Sequence, residues 1–156
     1  MGIKTFSVFF TLLMMMGCGP LRQPALYALN VEKDRLDIQK IIADNPLAPG
    51  EALKKVDLGR TSSSSQHLII VLTNELLHVH EHHDGEAVII EGKGNLFAAE
   101  KKISLKKGDV VVLPQGLPHY FENTHSKPTI IFVTFSPPYD DLDHLIVQSP
   151  TKEFLQ

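Results

Sequence analysis

From residue 56 to 136 the apolar positions fall in short β-rich runs separated by turn residues: "HLIIVLT", "LLHVH", "EAVIIEG", "GNLFAAE", "KKISLKKGD", "DVVVLPQG", "HYFENT" and "TIIFVTFS". Breaks at Gly108 and Asp109, at Pro114 to Gly116, and at Asn123 and Thr124 separate several of them. The pattern predicts an all-β sandwich or small barrel of about eight strands. In an alternating strand residues i and i+2 share a face, so His78 and His80 point together, and inward if that face is the inner one. The stretch from 78 to 83 holds four histidines, His78, His80, His82 and His83, before the chain turns apolar. A buried strand carries imidazoles only with partners, and a metal ion is one such partner.

Upstream the pattern changes. "LDIQKIIADNPL" places Leu36, Ile38, Ile41 and Ile42 near helical spacing and then meets Pro46. This predicts a short helix ending at Asn45, within a lead-in spanning 36–55. The serines at 62–65 read as a loop entering a strand. Residues 18–35 show little periodicity and read as a tether. The first 17 residues have a lysine near the start and an apolar stretch, followed by Gly17, Cys18 and Gly19. That layout is secretory and too short to span a bilayer comfortably. Cys18 is the single cysteine and cannot pair within the chain. The segment resembles a bacterial lipoprotein signal, with Met15 where leucine is usual. The resemblance implies acylation of Cys18, a membrane partner through an N-terminal lipid anchor, and a place in the bacterial cell envelope, on the periplasmic side or the cell surface.

Composition narrows the picture further. The 156 residues suffice for one domain with a core and are too few for two of ordinary size. A formal net charge of -3, with both signs interspersed, leaves no basic stripe for phosphates, so nucleic acid is not an expected partner. The barrel is placed at 56–145, with a C-terminal tail over 146–156.

The stretch "GDVVVLPQGLPHYFEN" adds a further histidine, His119. Gly108 opens a turn, Val110 to Leu113 read as a buried strand, and Pro114 and Gly116 set a corner before His119 begins the next strand. The spacing G-x5-P-x-G-x2-H-x3-N, met by Gly108, Pro114, Gly116, His119 and Asn123, resembles the second motif of the cupins in full. The His-x-His at 78 and 80, followed by "VIIEGKG", resembles their first motif. The resemblance covers residues 66 to 138; "NPL" near 45, "LGRT" near 58 and "FSPPYDDLD" are similar to a group of small bacterial single-cupin proteins. It implies a jelly-roll barrel holding one divalent metal on three histidines and a glutamate.

Carried onto this chain, the histidines are His78, His80 and His119. The glutamate column falls on Gly85, which cannot ligate. Glu86, its neighbour, reaches the metal only if a bulge turns it inward, and a regular strand faces it out. A second register, His80, His82 and Glu86, also fits; the first keeps the family's length before "EG" and is preferred. Imidazole ligands suit zinc, iron, copper, nickel or manganese, and loss of the carboxylate shifts preference away from manganese.

Other residues have plainer roles. Phe121 shares the parity of His119 and is expected to line the pocket, with Tyr120 facing away. Asn123 is expected to form a turn and His67 to be a satisfied structural histidine. His125 is expected in a solvated turn. The aspartates and His144 of "PPYDDLDHL" are expected to clasp the barrel, and the lysine pairs at 101–102 and 106–107 to protect a sheet edge. Two functional classes follow: a metal-binding lipoprotein with a His-lined small-molecule pocket, and a metal-dependent enzyme (oxygenase, isomerase, lyase or hydrolase) acting on a small oxygenated substrate. A homodimer is an assembly open to either.

Overall fold

The apolar runs become strands because each has two surfaces to cover. A computed structural model describes residues 36–147 together with the backbone of Tyr27–Ala28. The elements in chain order are β1 (Tyr27–Ala28), β2 (Leu36–Asp37), α1 (Ile38–Asp44), β3 (Leu53–Arg60), β4 (Ser65–Val71), β5 (His78–Val79) and β6 (Asp84–Glu91). They continue with β7 (Lys93–Ala98), β8 (Lys101–Lys106), β9 (Val110–Leu113), β10 (His119–Asn123), β11 (Thr129–Ser136) and β12 (Leu145–Ile146). Two five-stranded sheets, ordered β12-β5-β10-β7-β8 and β3-β4-β11-β6-β9, are antiparallel throughout. The architecture is an all-β jelly roll of two sheets, and each of the eight expected runs supplies a strand.

The second sheet is buried on both sides, which explains the near-continuous apolar text of β4 and β11. Its outer face carries Leu58, Leu68, Ile70 and Ile130, covered by Ile38 of α1 and its neighbours Ile41 and Ile42. Asp37 caps that helix, its carboxylate accepting from the backbone N–H of Gln39 at 3.0 Å and of Lys40 at 3.2 Å. Asn45 stands at the C-cap before Pro46. The inner face joins Val71, Ile89, Ile131, Val133 and Phe135 to Leu96, Leu105 and Phe121 from the other sheet. β8, at the edge of the first sheet, carries the exposed Lys101, Lys102 and Lys106, with the exposed Lys107 just beyond its end.

Some boundaries differ from expectation. β3 begins at Leu53, ahead of the expected barrel start at 56, and overlaps the lead-in placed at 36–55. Its apolar text is interrupted because Lys55 and Asp57 occupy the inner parity, at the rim, while Val56 and Leu58 pack toward the helix. The tether assigned to 18–35 includes Tyr27–Ala28, which pair with Leu36–Asp37. β12 carries the barrel to Ile146, one residue into the expected tail; two residues are too few to show a period. The signal segment over 1–17, with Cys18, lies outside the described residues.

Candidate metal centre

Strand pairing brings the two histidine motifs together. β10 lies beside β5 with His119 directly opposite His78, so their side chains are cross-strand neighbours on the inner face. His80 follows two residues after His78 and joins them. The ring centroids of His78 and His119 are 4.3 Å apart, those of His78 and His80 4.9 Å, and those of His80 and His119 5.5 Å. All three residues are buried, and their ligand nitrogens lie within 4.8 Å of one another.

Local sequence fixes this geometry. The corner after Pro114 needs a residue at φ +76°, which Gly116 provides. From there its N–H donates to the carbonyl of His80 at 2.6 Å, and the N–H of Gln115 donates to Asp84 at 2.9 Å. The corner is thereby tied to both ends of the first motif's turn. Gly94, on β7, leaves room for the Phe121 ring of β10; a Cβ there would come within 2.1 Å of it. Asn123 acts as the expected turn former, donating to the carbonyls of Leu72 and Lys127 and accepting from His125 N–H and the Thr129 hydroxyl.

The three imidazoles share one hydrogen-bonding scheme. Nδ1 of His78 donates to the carbonyl of Leu76 at 2.8 Å, Nδ1 of His119 donates to that of Leu117 at 2.8 Å, and Nδ1 of His80 donates to that of Asp143. A carbonyl can only accept, so each Nδ1 carries the proton. Each Nε2 is left with a lone pair, the state in which imidazole ligates a metal. Burial, with His119 adjacent, holds His78 down to about 3. Burial likewise holds His80 down to about 4 and lowers His119. The cluster is neutral at ordinary pH, and its donor set fits one divalent ion.

Glu86 does not complete the set. β6 runs in regular register there, with Glu86 opposite Thr134 and Val112 and Gly85 opposite Phe135 and Leu113. The one irregularity of the β11–β6 ladder lies between Ile130 and Ile131, far from Gly85. Gly85 is buried and lines the cavity, and Glu86 is exposed on the other face. Glu86 as a ligand is therefore corrected: alternation keeps its carboxylate outside. The second register fails with it, since His82 is also exposed.

Three neighbours were not expected at the site: Glu75, and Asp143 and His144 of the clasp. Glu75, on the loop before β5, lines the cavity; its carboxylate accepts the Phe121 N–H at 3.0 Å while its own N–H donates to the Phe121 carbonyl at 2.9 Å. Its side chain stands in for a missing strand partner, so no alternation pattern could announce it. Burial pushes this carboxyl up to about 7. His144 stacks on His78 with centroids 4.1 Å apart. Asp143 beside it is buried, and its carboxylate accepts the N–H groups of Glu81 and His82 at 2.9 Å each as well as Nδ1 of His83. The expected clasp thus also orients His80. His83 is buried within the irregular segment before β6, and His125 is half-buried rather than solvated.

Below the imidazoles the cavity measures about 270 Å³, with Ile69, Ala87, Ile89, Leu96, Leu105 and Ile131 among its walls. Residues 71–135 match the Cupin domain family. An uncharacterized protein of Aquifex aeolicus is 32% identical over 116 residues, covering 74% of this chain and 94% of its own length. The chain carries a cupin domain. Among solved structures, TT1209 from Thermus thermophilus superposes on this cupin with a TM-score of 0.58 at 24% identity, covering 67% of this chain and 97% of its own. Streptomyces PAC13 with uridine gives 0.55 at 11%, covering 62% and 79%. At such identities the likeness concerns the fold.

Proposed function

We propose that this cupin binds one divalent metal on His78, His80 and His119 and uses it to hold a small molecule in the barrel. The observation that carries the reading is the shared tautomer: three Nδ1–H groups committed to backbone carbonyls leave three Nε2 lone pairs in a cluster whose ligand nitrogens lie within 4.8 Å of one another. Without a protein carboxylate, the donor set favours zinc, copper or nickel over manganese. A bound ion would supply a positive centre that polarises an oxygen of the molecule beside it. Zinc titration of the metal-stripped protein tests this: one equivalent bound by wild type and none by His119→Ala is expected, and equal binding by both overturns it.

A second reading, a metal-dependent enzyme, is favoured by Glu75. A carboxyl pushed up to about 7 inside the cavity can give or take a proton near neutral pH, the property a general acid or base requires. Loss of turnover in Glu75→Gln with zinc retained would support this reading, and a zinc-loaded protein that leaves every oxygenated candidate substrate unchanged would count against it. The lipid anchor at Cys18 and the envelope location rest on the signal-like sequence. Wild-type protein partitioning into detergent, with Cys18→Ser released or unprocessed, is the expected result; a fully soluble wild type overturns the anchor.

A further inference from the structure

The cavity is divided in chemistry. Its polar residues gather around the imidazoles: His144 lies on His78, Tyr139 packs edge-on to His80 at 5.6 Å, and Lys55 sits over the Tyr139 ring at 5.4 Å. The rest of the chamber is walled by aliphatic side chains and Phe121, with Glu75 as the one further charged side chain, its carboxylate already accepting the Phe121 N–H. A polyhydroxylated sugar or a nucleoside placed there would leave several hydroxyls without partners, each at the full cost of desolvation. A hydrocarbon loses nothing and removes apolar surface from water.

The polar end has a charge preference of its own. With Gly85 at the glutamate column, Glu86 outside and the Glu75 carboxylate held by the Phe121 N–H, an ion on three neutral imidazoles keeps its double charge in a partly dry site. Such a centre calls for an anionic oxygen. Lys55 is already paired, with Asp57 at 2.6 Å and Asp141 at 3.0 Å, so it does not compete for that anion.

Building on the metal reading above, we propose that the barrel selects small aliphatic monocarboxylates, with the carboxylate at the three-histidine metal and the tail in the chamber walled by Ile69, Ile89, Leu96, Leu105, Ile131 and Val133. The cavity of about 270 Å³ is many times the ~10–15 Å³ that one water requires on the same measure, so a tail of several carbons fits, and hexanoate serves as the longest probe.

Calorimetric titration of the zinc-loaded full chain with acetate, butyrate, hexanoate, glucuronate, uridine and hexanol tests this directly. Affinity is expected to rise about fourfold per methylene from acetate to hexanoate. Glucuronate and uridine bind no tighter than acetate, and hexanol binds at least tenfold more weakly than hexanoate. With cobalt(II) in place of zinc, hexanoate shifts the visible spectrum and hexanol does not. In Ala87→Leu, which narrows the chamber, the gain along the series shrinks. A flat series, tighter binding of glucuronate or uridine than of hexanoate, or hexanol equal to hexanoate overturns the proposal while leaving the metal reading intact. A protein that takes up no zinc overturns both.

Discussion

Two sets of histidines are buried in this barrel, and their partners set them apart. His67 is closed on both nitrogens, with Nδ1 2.7 Å from Asp57 and Nε2 2.7 Å from the Ser65 hydroxyl. His83 is bound through Nδ1 to Asp143, with Nε2 facing the Pro138 carbonyl at 3.4 Å. His78, His80 and His119 are closed on Nδ1 alone, and among the described residues no hydrogen bond reaches their Nε2 atoms. Burial is the same in both sets. The difference is that the first set consumes its hydrogen-bonding capacity within the protein, and the second keeps one lone pair per ring for something outside it. Structural histidines should accordingly be costly to remove, and site histidines cheap in stability but decisive for metal.

The largest effect is expected at the clasp. Asp143→Ala strips His83 of its carboxylate and leaves two backbone N–H groups unpaired, and it should cost about 3–5 kcal/mol in urea unfolding. A cost below that of an ordinary surface change would dissolve the distinction between the two sets.

Next come the site histidines. His119→Ala and His78→Ala should each abolish stoichiometric zinc binding while the metal-free protein keeps its stability within about 1 kcal/mol, because each ring makes a single hydrogen bond within the protein. His82→Ala should keep both zinc and stability, since its side chain is exposed. Metal loss in His82→Ala with retention in His78→Ala would move the site to the other register.

Acid should reveal the same histidines in the metal-free protein. An unfolded imidazole takes its proton near 6.5, whereas burial holds His78 to about 3 and His80 to about 4. The unfolded state therefore binds more protons through that window. The stability these groups contribute is present above pH 6.5 and falls as pH falls toward 4, by up to about 1.4 kcal/mol per pH unit for each ring. Glu75 acts in the opposite sense: raised from 4.5 to about 7, it contributes fully below pH 4.5 and loses that contribution as pH rises to 7. Denaturation midpoints followed from pH 8 to pH 4 should thus fall with acid, and more steeply in Glu75→Gln. Parallel curves for the variant and wild type would remove Glu75 from the cavity's titration. The smallest effect belongs to Glu86→Gln, which should change zinc affinity by less than about twofold because an exposed carboxylate on the outer face touches no ligand.

The strands and the three-histidine cluster were legible because both depend on local text. Alternation placed His78 with His80, and the Pro114–Gly116 corner announced His119 and its inward partner Phe121. Glu75, His83 and His144 were not legible, for a common physical reason. Each sits on an irregular segment whose direction is set by a partner far away in sequence: Phe121 for Glu75, Asp143 for His83, and His78 for His144. The edge strand β3 hid for a different reason, since its rim-facing lysine and aspartate break the apolar rhythm that marks β4 and β11.

On the proposed reading three Nε2 atoms hold one ion without a carboxylate. A crystal structure of the zinc-loaded protein, with the ion placed by its anomalous scattering, should show zinc about 2.0–2.1 Å from Nε2 of His78, His80 and His119, with Glu86 turned to solvent. An ion ligated by Glu86 or His82, or held through any Nδ1, would contradict it.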